Sequence, residues 1–214
     1  LRPEVTQFAD IDRVESTSLI YTGAEYSFTS PILQVEKEEV ISNNTEDPEE
    51  IRELYLQIPG ELPERVRFLA AEITEKYTSR YEKAEAITKY LRDEMKYQIS
   101  IDTIPFGQDP VDYFLFDSRT GFCNYYASSA VMMMRAVGIP ARMVVGFAQG
   151  KLDDDEKIYT VRMQDSHAWV EVFFPDYGWI PFEATSSQPL YQLSARLSSN
   201  EIEPTPTPPM VAES

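Results

Sequence analysis

The apolar residues of this chain keep a helical period between two breakpoints and alternate outside them. After Pro59-Gly60, Val66, Leu69, Ala70, Ile73 and Tyr77 recur at offsets of 3, 4, 7 and 11, one stripe of a helix that Pro63-Glu64 starts. Tyr81, Ala84, Ile87, Tyr90, Leu91 and Met95 form a second stripe. Aromatic residues at this spacing read as core. Asp109 as N-cap and Pro110 at the first position predict a short helix over 109–116. A third long helix starts at Cys123 and runs to about Val137. Gly138 suits its C-cap, and Pro140 stops it. Beyond that point the period falls to two. Met143, Val145 and Phe147 alternate with Val144, Gly146 and Ala148. Strands are predicted next over 157–164, 167–174 and 179–183, with a turn centred on Asp153-Asp-Asp-Glu156. Helices followed by consecutive antiparallel strands define an α+β fold.

The ends differ from this core. Ser18–Thr22, Tyr26–Ser30 and Ile32–Glu36 read as short strands, with Gly23-Ala24 where a turn is wanted, and residues 42–50 read as a loop. The tail runs into Glu203-Pro-Thr-Pro-Thr-Pro-Pro209, which lacks the backbone donors of helix or sheet and reads as an extended linker. The expected organisation is a β-rich extension over 1–58, a core over 59–190 and a Pro/Thr-rich linker over 191–214. The chain has no initiating Met and is expected to be a piece of a longer protein. Asn43-Asn44-Thr45 matches a glycosylation sequon that is common by chance.

Charge narrows the partners. Nineteen Lys and Arg against thirty-six Asp and Glu give −17. Nucleic acid is not expected as a partner, because its binding is driven by Lys and Arg neutralising phosphates, and neither is an anionic lipid surface. Residues 36–64 hold ten acids and two bases, which reads as a solvated acidic face. The most apolar stretch, Ala127–Ala148, is interrupted by Arg135, Pro140 and Arg142, so no membrane span is expected within the chain.

The 214 residues include one cysteine and one histidine. A disulfide framework is thereby excluded, and so is a closed Cys/His zinc site, which takes more such ligands than are present. Cys123 opens a helix, where unpaired N–H groups and the positive end of the dipole favour a thiolate. Gly121 lets the backbone turn tightly just before it. Alone, a single cysteine is as readily a small buried apolar residue. His167 shares a strand face with Trp169, Glu171 and Phe173, opposite the aliphatic face of Ala168, Val170, Val172 and Phe174. Glu183 ends the following strand, and the Pro175–Gly178 turn can bring its carboxylate to His167. Asp165, two residues before His167 and on the same strand face, is a second carboxylate in reach. A helix-start thiol, a base and an acid that orients the base together fit an activated nucleophile.

Four segments carry a resemblance: Gly121-Phe-Cys-Asn-Tyr-Tyr-Ala-Ser-Ser-Ala130, Met134-Arg-Ala-Val-Gly-Ile-Pro-Ala-Arg-Met-Val-Val-Gly146, Asp165-Ser-His-Ala-Trp-Val-Glu171 and Gly178-Trp-Ile-Pro-Phe-Glu-Ala-Thr185. Over roughly 60–190 they resemble the core motifs of the transglutaminase-like superfamily, in the same order. The similarity is greatest to the bacterial branch whose domain stands outside the membrane between transmembrane helices. The resemblance implies a papain-like core, with the nucleophile-bearing helix packed on an antiparallel sheet. It further implies cysteine-dependent acyl transfer on protein or peptide carboxamides, with Cys123 as nucleophile, His167 as base and Glu183 in the acid position. Hydrolysis of the same thioester, as in a protease or amidase, and a binding module that keeps the fold stay open as alternatives. The implied location is an extracytoplasmic domain of a membrane-anchored parent. The family most often has Asp in an Asp-Pro-Thr context, whereas Glu183-Ala-Thr185 stands here, so the geometry is expected to adapt to one more methylene. No cofactor or metal is expected. Residues 153–156 lack the spaced ligands and glycine of an EF-hand loop and read as a solvated hairpin tip.

Overall fold

The computed structural model describes residues 5–8, 11–16, 21–25, 35–153, 155 and 158–191. The chain divides into two compact units, Leu1–Leu33 and Gln34–Ser214. In the first, β1 (Val5–Phe8) and β2 (Ile11–Ser16) pair antiparallel, with a bulge between Gln7 and Phe8. Residues 21–25 form a turn at Gly23 (φ +84°), where Ala24 N donates to Tyr21 O. Tyr21 and Thr22, expected in a strand, belong to this turn. The strand expected over 26–30, and most of that over 32–36, falls outside the described residues.

The second unit begins with two short helices, α1 (Lys37–Ile41) and α2 (Glu49–Tyr55). They replace the strand-rich extension expected to continue to residue 58. At five and seven residues neither is long enough to display an apolar stripe. The loop between them is tied down. Arg80 makes a bidentate pair with Asp47 at 2.6 and 2.7 Å and donates to Phe173 O at 2.7 Å. Asn43 Nδ2 donates to Pro175 O at 3.1 Å, so the sequon asparagine is held in a tertiary contact. The acidic stretch therefore includes a nearly buried, paired Asp47 beside its solvated carboxylates.

α3 (Glu64–Thr74) buries Val66 and Ala70 of its predicted stripe but ends before Tyr77, and α4 (Arg80–Glu94) matches its stripe, capped by Ser79 Oγ accepting from Glu82 N. After β3 (Lys96–Tyr97) come α5 (Pro110–Asp112), capped by Asp109, and a π-helix over Tyr113–Ser118. β4 (Thr120–Gly121) leads into α6 (Cys123–Ala136), the central helix. Val66 and Ala70 of α3, Ala84, Ile87 and Leu91 of α4, and Tyr126, Ala130, Met133 and Met134 of α6 are fully buried. α6 ends where Gly138 (φ +78°) sends its N–H to Arg135 O while Ile139 N donates to Met134 O, a Schellman closure that requires a left-handed residue.

β5 (Ala141–Phe147), β8 (Ser166–Phe174) and β9 (Gly178–Phe182) form an antiparallel sheet with β8 in the middle. β6 (Lys151–Asp153) and β7 (Ile158–Thr160) make a separate hairpin. Ala168, Val170, Val172 and Phe174 are completely buried, as their alternation predicts. The fold is α+β. Among the described residues no helix is long and apolar enough to cross a membrane.

Candidate active site

Several contacts fix the start of α6. Parallel pairing sets Lys96 beside Thr120 and Tyr97 beside Gly121, and Gln98 N donates to Gly121 O at 2.8 Å. Arg119, in the left-handed region at φ +52°, turns the chain and donates to both Glu94 O and Glu94 Oε2. The π-helix lays the buried Phe114 ring on Gly121. A Cβ at Gly121 would lie 2.9 Å from Phe114 Cε2 and from Tyr125 Cβ, so only glycine fits without a shift. Phe122 is extended and provides no side-chain cap, and the first turn of α6 contains no acid. Cys123 is thus the first helical residue, half-buried, with its thiol donating to Asn124 Oδ1 at 3.6 Å.

The histidine is set by sheet register. His167 pairs with Gly146, and Trp169 with Val144. Gly146 leaves room for an indole, since a Cβ there would meet Trp169 Cη2 at 2.9 Å. Trp169 stacks beside the imidazole, with ring centres 6.1 Å apart and planes 21° apart. His167 Nε2 lies 2.7 Å from Glu183 Oε2, and the two side chains are 8% and 11% exposed.

Sequence spacing explains how the glutamate reaches. Val170 pairs with Phe182 and Glu171 with Pro181, so extending the register by one sets Glu183 across from Trp169. His167 is then its diagonal neighbour on the same face, a separation that long side chains bridge. The other oxygen, Oε1, accepts from Thr185 N at 2.8 Å, which orients the carboxylate. Asp165 is not on the strand as expected. It ends a 3-10 turn (Met163–Asp165), and its Oδ2 accepts from Arg162 N at 2.7 Å. Glu183 is therefore the carboxylate that meets the imidazole. Cys123 and His167 share no hydrogen bond among the described residues.

A cleft of about 430 Å³ opens on this pair. Its walls include His167, Trp169, Glu171, Pro181, Leu190 and Tyr191. Arg142 holds Glu171 at 2.7 Å and lies over the Trp179 ring, which rigidifies the floor. Sequence reasoning passed over the residues that support the site rather than form it: Gly146, Asn124, the 188–191 wall and Arg92, which reaches the backbone after Glu183. Arg92 lies on the flank of the α4 stripe, four residues after buried Thr88, and that position was the available signal. Among the described residues no cluster of three or more His, Cys, Asp or Glu side chains is placed to hold a metal ion.

Comparison with known proteins adds to this geometry. The family model of the transglutaminase-like superfamily matches residues 67–184. YebA, an uncharacterized protein of Bacillus subtilis (strain 168), is 39% identical over 137 residues, 61% of this chain and 19% of that protein. A protein-glutamine gamma-glutamyltransferase of Pseudomonas aeruginosa is 35% identical over 139 residues, 65% of this chain and 20% of its own length. The chain thus spans about a fifth of the curated relatives it matches. The crystal structure of the periplasmic domain of TgpA from Pseudomonas aeruginosa, bound to ethylmercury, superposes with a TM-score of 0.56 at 34% identity. That match covers 63% of this chain and 48% of TgpA's.

Proposed function

The chain belongs to the transglutaminase-like superfamily, and on that premise we propose that it catalyses cysteine-dependent acyl transfer on protein or peptide carboxamides. Cys123 is the nucleophile, His167 the general base and acid, and Glu183 the residue that fixes the imidazole. The observation that carries this reading is the 2.7 Å contact between His167 Nε2 and Glu183 Oε2. With Nε2 engaged by the carboxylate, Nδ1 is the nitrogen that serves the thiol. The thiol and the imidazole form their hydrogen bond when substrate enters, since catalytic hydrogen bonds commonly tighten only in the complex.

In the first half-reaction the Cys123 thiol gives its proton to His167, and the sulfur attacks the carboxamide carbonyl. An S–C bond forms as the carbonyl oxygen takes up the negative charge. The N–H of Cys123 at the helix start donates to that oxygen. His167 returns the proton to the departing nitrogen, which leaves as ammonia from glutamine or as an amine from a peptide bond. In the second half-reaction an amine or water attacks the thioester, His167 takes its proton, and sulfur leaves. Amine acceptance gives a transglutaminase and water a protease or amidase. The name carried by the Pseudomonas relative supports the amine. The domain works outside the cytoplasm as part of a longer, membrane-anchored protein. Its similarity to a periplasmic domain supports the location, and the greater length of its relatives supports the longer parent.

The test is to incubate the protein with a glutamine-containing peptide, with and without a small primary amine, and follow intact mass and ammonia. A transient acyl-Cys123 adduct and amine incorporation are expected. His167→Ala should slow thiol alkylation by iodoacetamide by about a hundredfold, the lower end of general-base effects. Peptide hydrolysis without amine incorporation selects the protease reading. No acyl adduct, with alkylation indifferent to His167→Ala, leaves only a binding module.

A further inference from the structure

Resting on the reading of Glu183 as the acid that fixes His167, we infer that Arg92 is a positioning residue for that acid, acting from α4 through the backbone that carries it. Its guanidinium spans the turn after β9. Nη1 donates to Glu183 O at 3.2 Å and to Thr185 O at 2.5 Å, and Nη2 donates to Gln188 O at 2.9 Å. These acceptors lie 91, 93 and 96 residues away in sequence, so the contact is wholly tertiary. Among the described residues no carboxylate forms an ion pair with Arg92. Both terminal nitrogens donate to carbonyls instead.

The placement matters because β9 ends at Phe182, one residue before the acid. Glu183 is thus the first residue beyond the paired strand, and its carbonyl accepts from Arg92. The chain beyond the acid forms a turn, closed by Gln188 N donating to Thr185 O at 3.2 Å. Within this turn the Thr185 amide fixes Glu183 Oε1 at 2.8 Å. The orientation of the carboxylate thus depends on where Thr185 sits, and Thr185 is held by Arg92. Ala184 and Thr185 are each 1% exposed, so this backbone is out of water and its carbonyls need protein donors. A planar fork suits several carbonyls at once, and a lysine ammonium on a flexible stem does not reproduce it. The same clamp also fixes Gln188, in the wall of the cleft.

The single histidine makes the inference directly measurable. Ring nitrogen NMR reports which ring nitrogen carries the proton, without assignment ambiguity. The wild-type protein should carry the ring proton on Nε2, facing Glu183. Glu183→Ala should remove that preference. Arg92→Met, shown to be folded by a cooperative thermal transition, should lose most of it and slow Cys123 alkylation about tenfold, within the range that displaced catalytic groups produce. Arg92→Lys should fall between, and it carries the test if Arg92→Met does not fold. A folded Arg92 variant with the wild-type tautomer and alkylation rate, while Glu183→Ala changes both, overturns the role of Arg92 alone. If Glu183→Ala leaves the tautomer unchanged, the reading of Glu183 fails and the role of Arg92 fails with it.

Discussion

The two halves of the site are built differently. His167 and Glu183 are sixteen residues apart on one β-hairpin, and register alone brings them to the same face. Cys123 belongs to a helix start held by β3, Glu94, Phe114 and the π-helix, all distant from that hairpin in the fold's connectivity. The base is paired and nearly buried. The thiol is half-buried and touches its own neighbour, Asn124. Local pairing can thus complete a base with its acid, whereas a nucleophile depends on how separate elements pack. Damage to the hairpin should change chemistry more than stability, and damage around Gly121 should do the reverse.

The sharpest break is Glu183→Asp. It installs the residue more usual in the family but shortens the reach across a diagonal pair. Loss of about tenfold in acyl-enzyme formation is expected, with little change in melting temperature. Full activity in single-turnover mass measurements would show that register leaves slack at this position. Next is Gly121→Ala. The added methyl meets the Phe114 ring and Tyr125 Cβ, and overpacking of this kind costs about 1–3 kcal/mol. For a chain of this size that lowers the melting temperature by about 2–4 °C per kcal/mol, readable by calorimetry. Unchanged melting would mean that the π-helix yields readily. Tyr126→Phe should be smallest. Burial pushes the Tyr126 phenol above its usual range, with the Ser186 contact opposing this, so the hydroxyl stays neutral and hydrogen-bonded to Ser186 Oγ at 3.3 Å. Removing that bond should cost about 1 kcal/mol in denaturant unfolding. A loss of activity larger than the loss of stability would mark the 183–188 turn as the more sensitive side.

Much of the fold was legible in the chain. The α4 stripe, the bounds of α6, the Asp109 cap, the Gly138 terminator and the faces of β8 arise from spacing, because each is fixed by neighbours three, four or two residues away. Two features were not legible in that way. α1 and α2 lie where the pattern suggested strands and loop, since five to seven residues give no periodic signal. Alternation placed Asp165 on the His167 strand face, but its carboxylate turns back to cap Arg162 N.

The site divides along the same line. Residue types and hairpin spacing determined that Cys123 starts a helix and that His167 faces Glu183, because helix starts and strand faces are set by short-range geometry. Only the tertiary structure decided what holds those groups in place: Arg92 on the turn beyond β9, Phe114 over Gly121, and Trp169 in the space Gly146 leaves. These contacts join segments far apart in sequence. They depend on distances between packed elements, which no local period encodes.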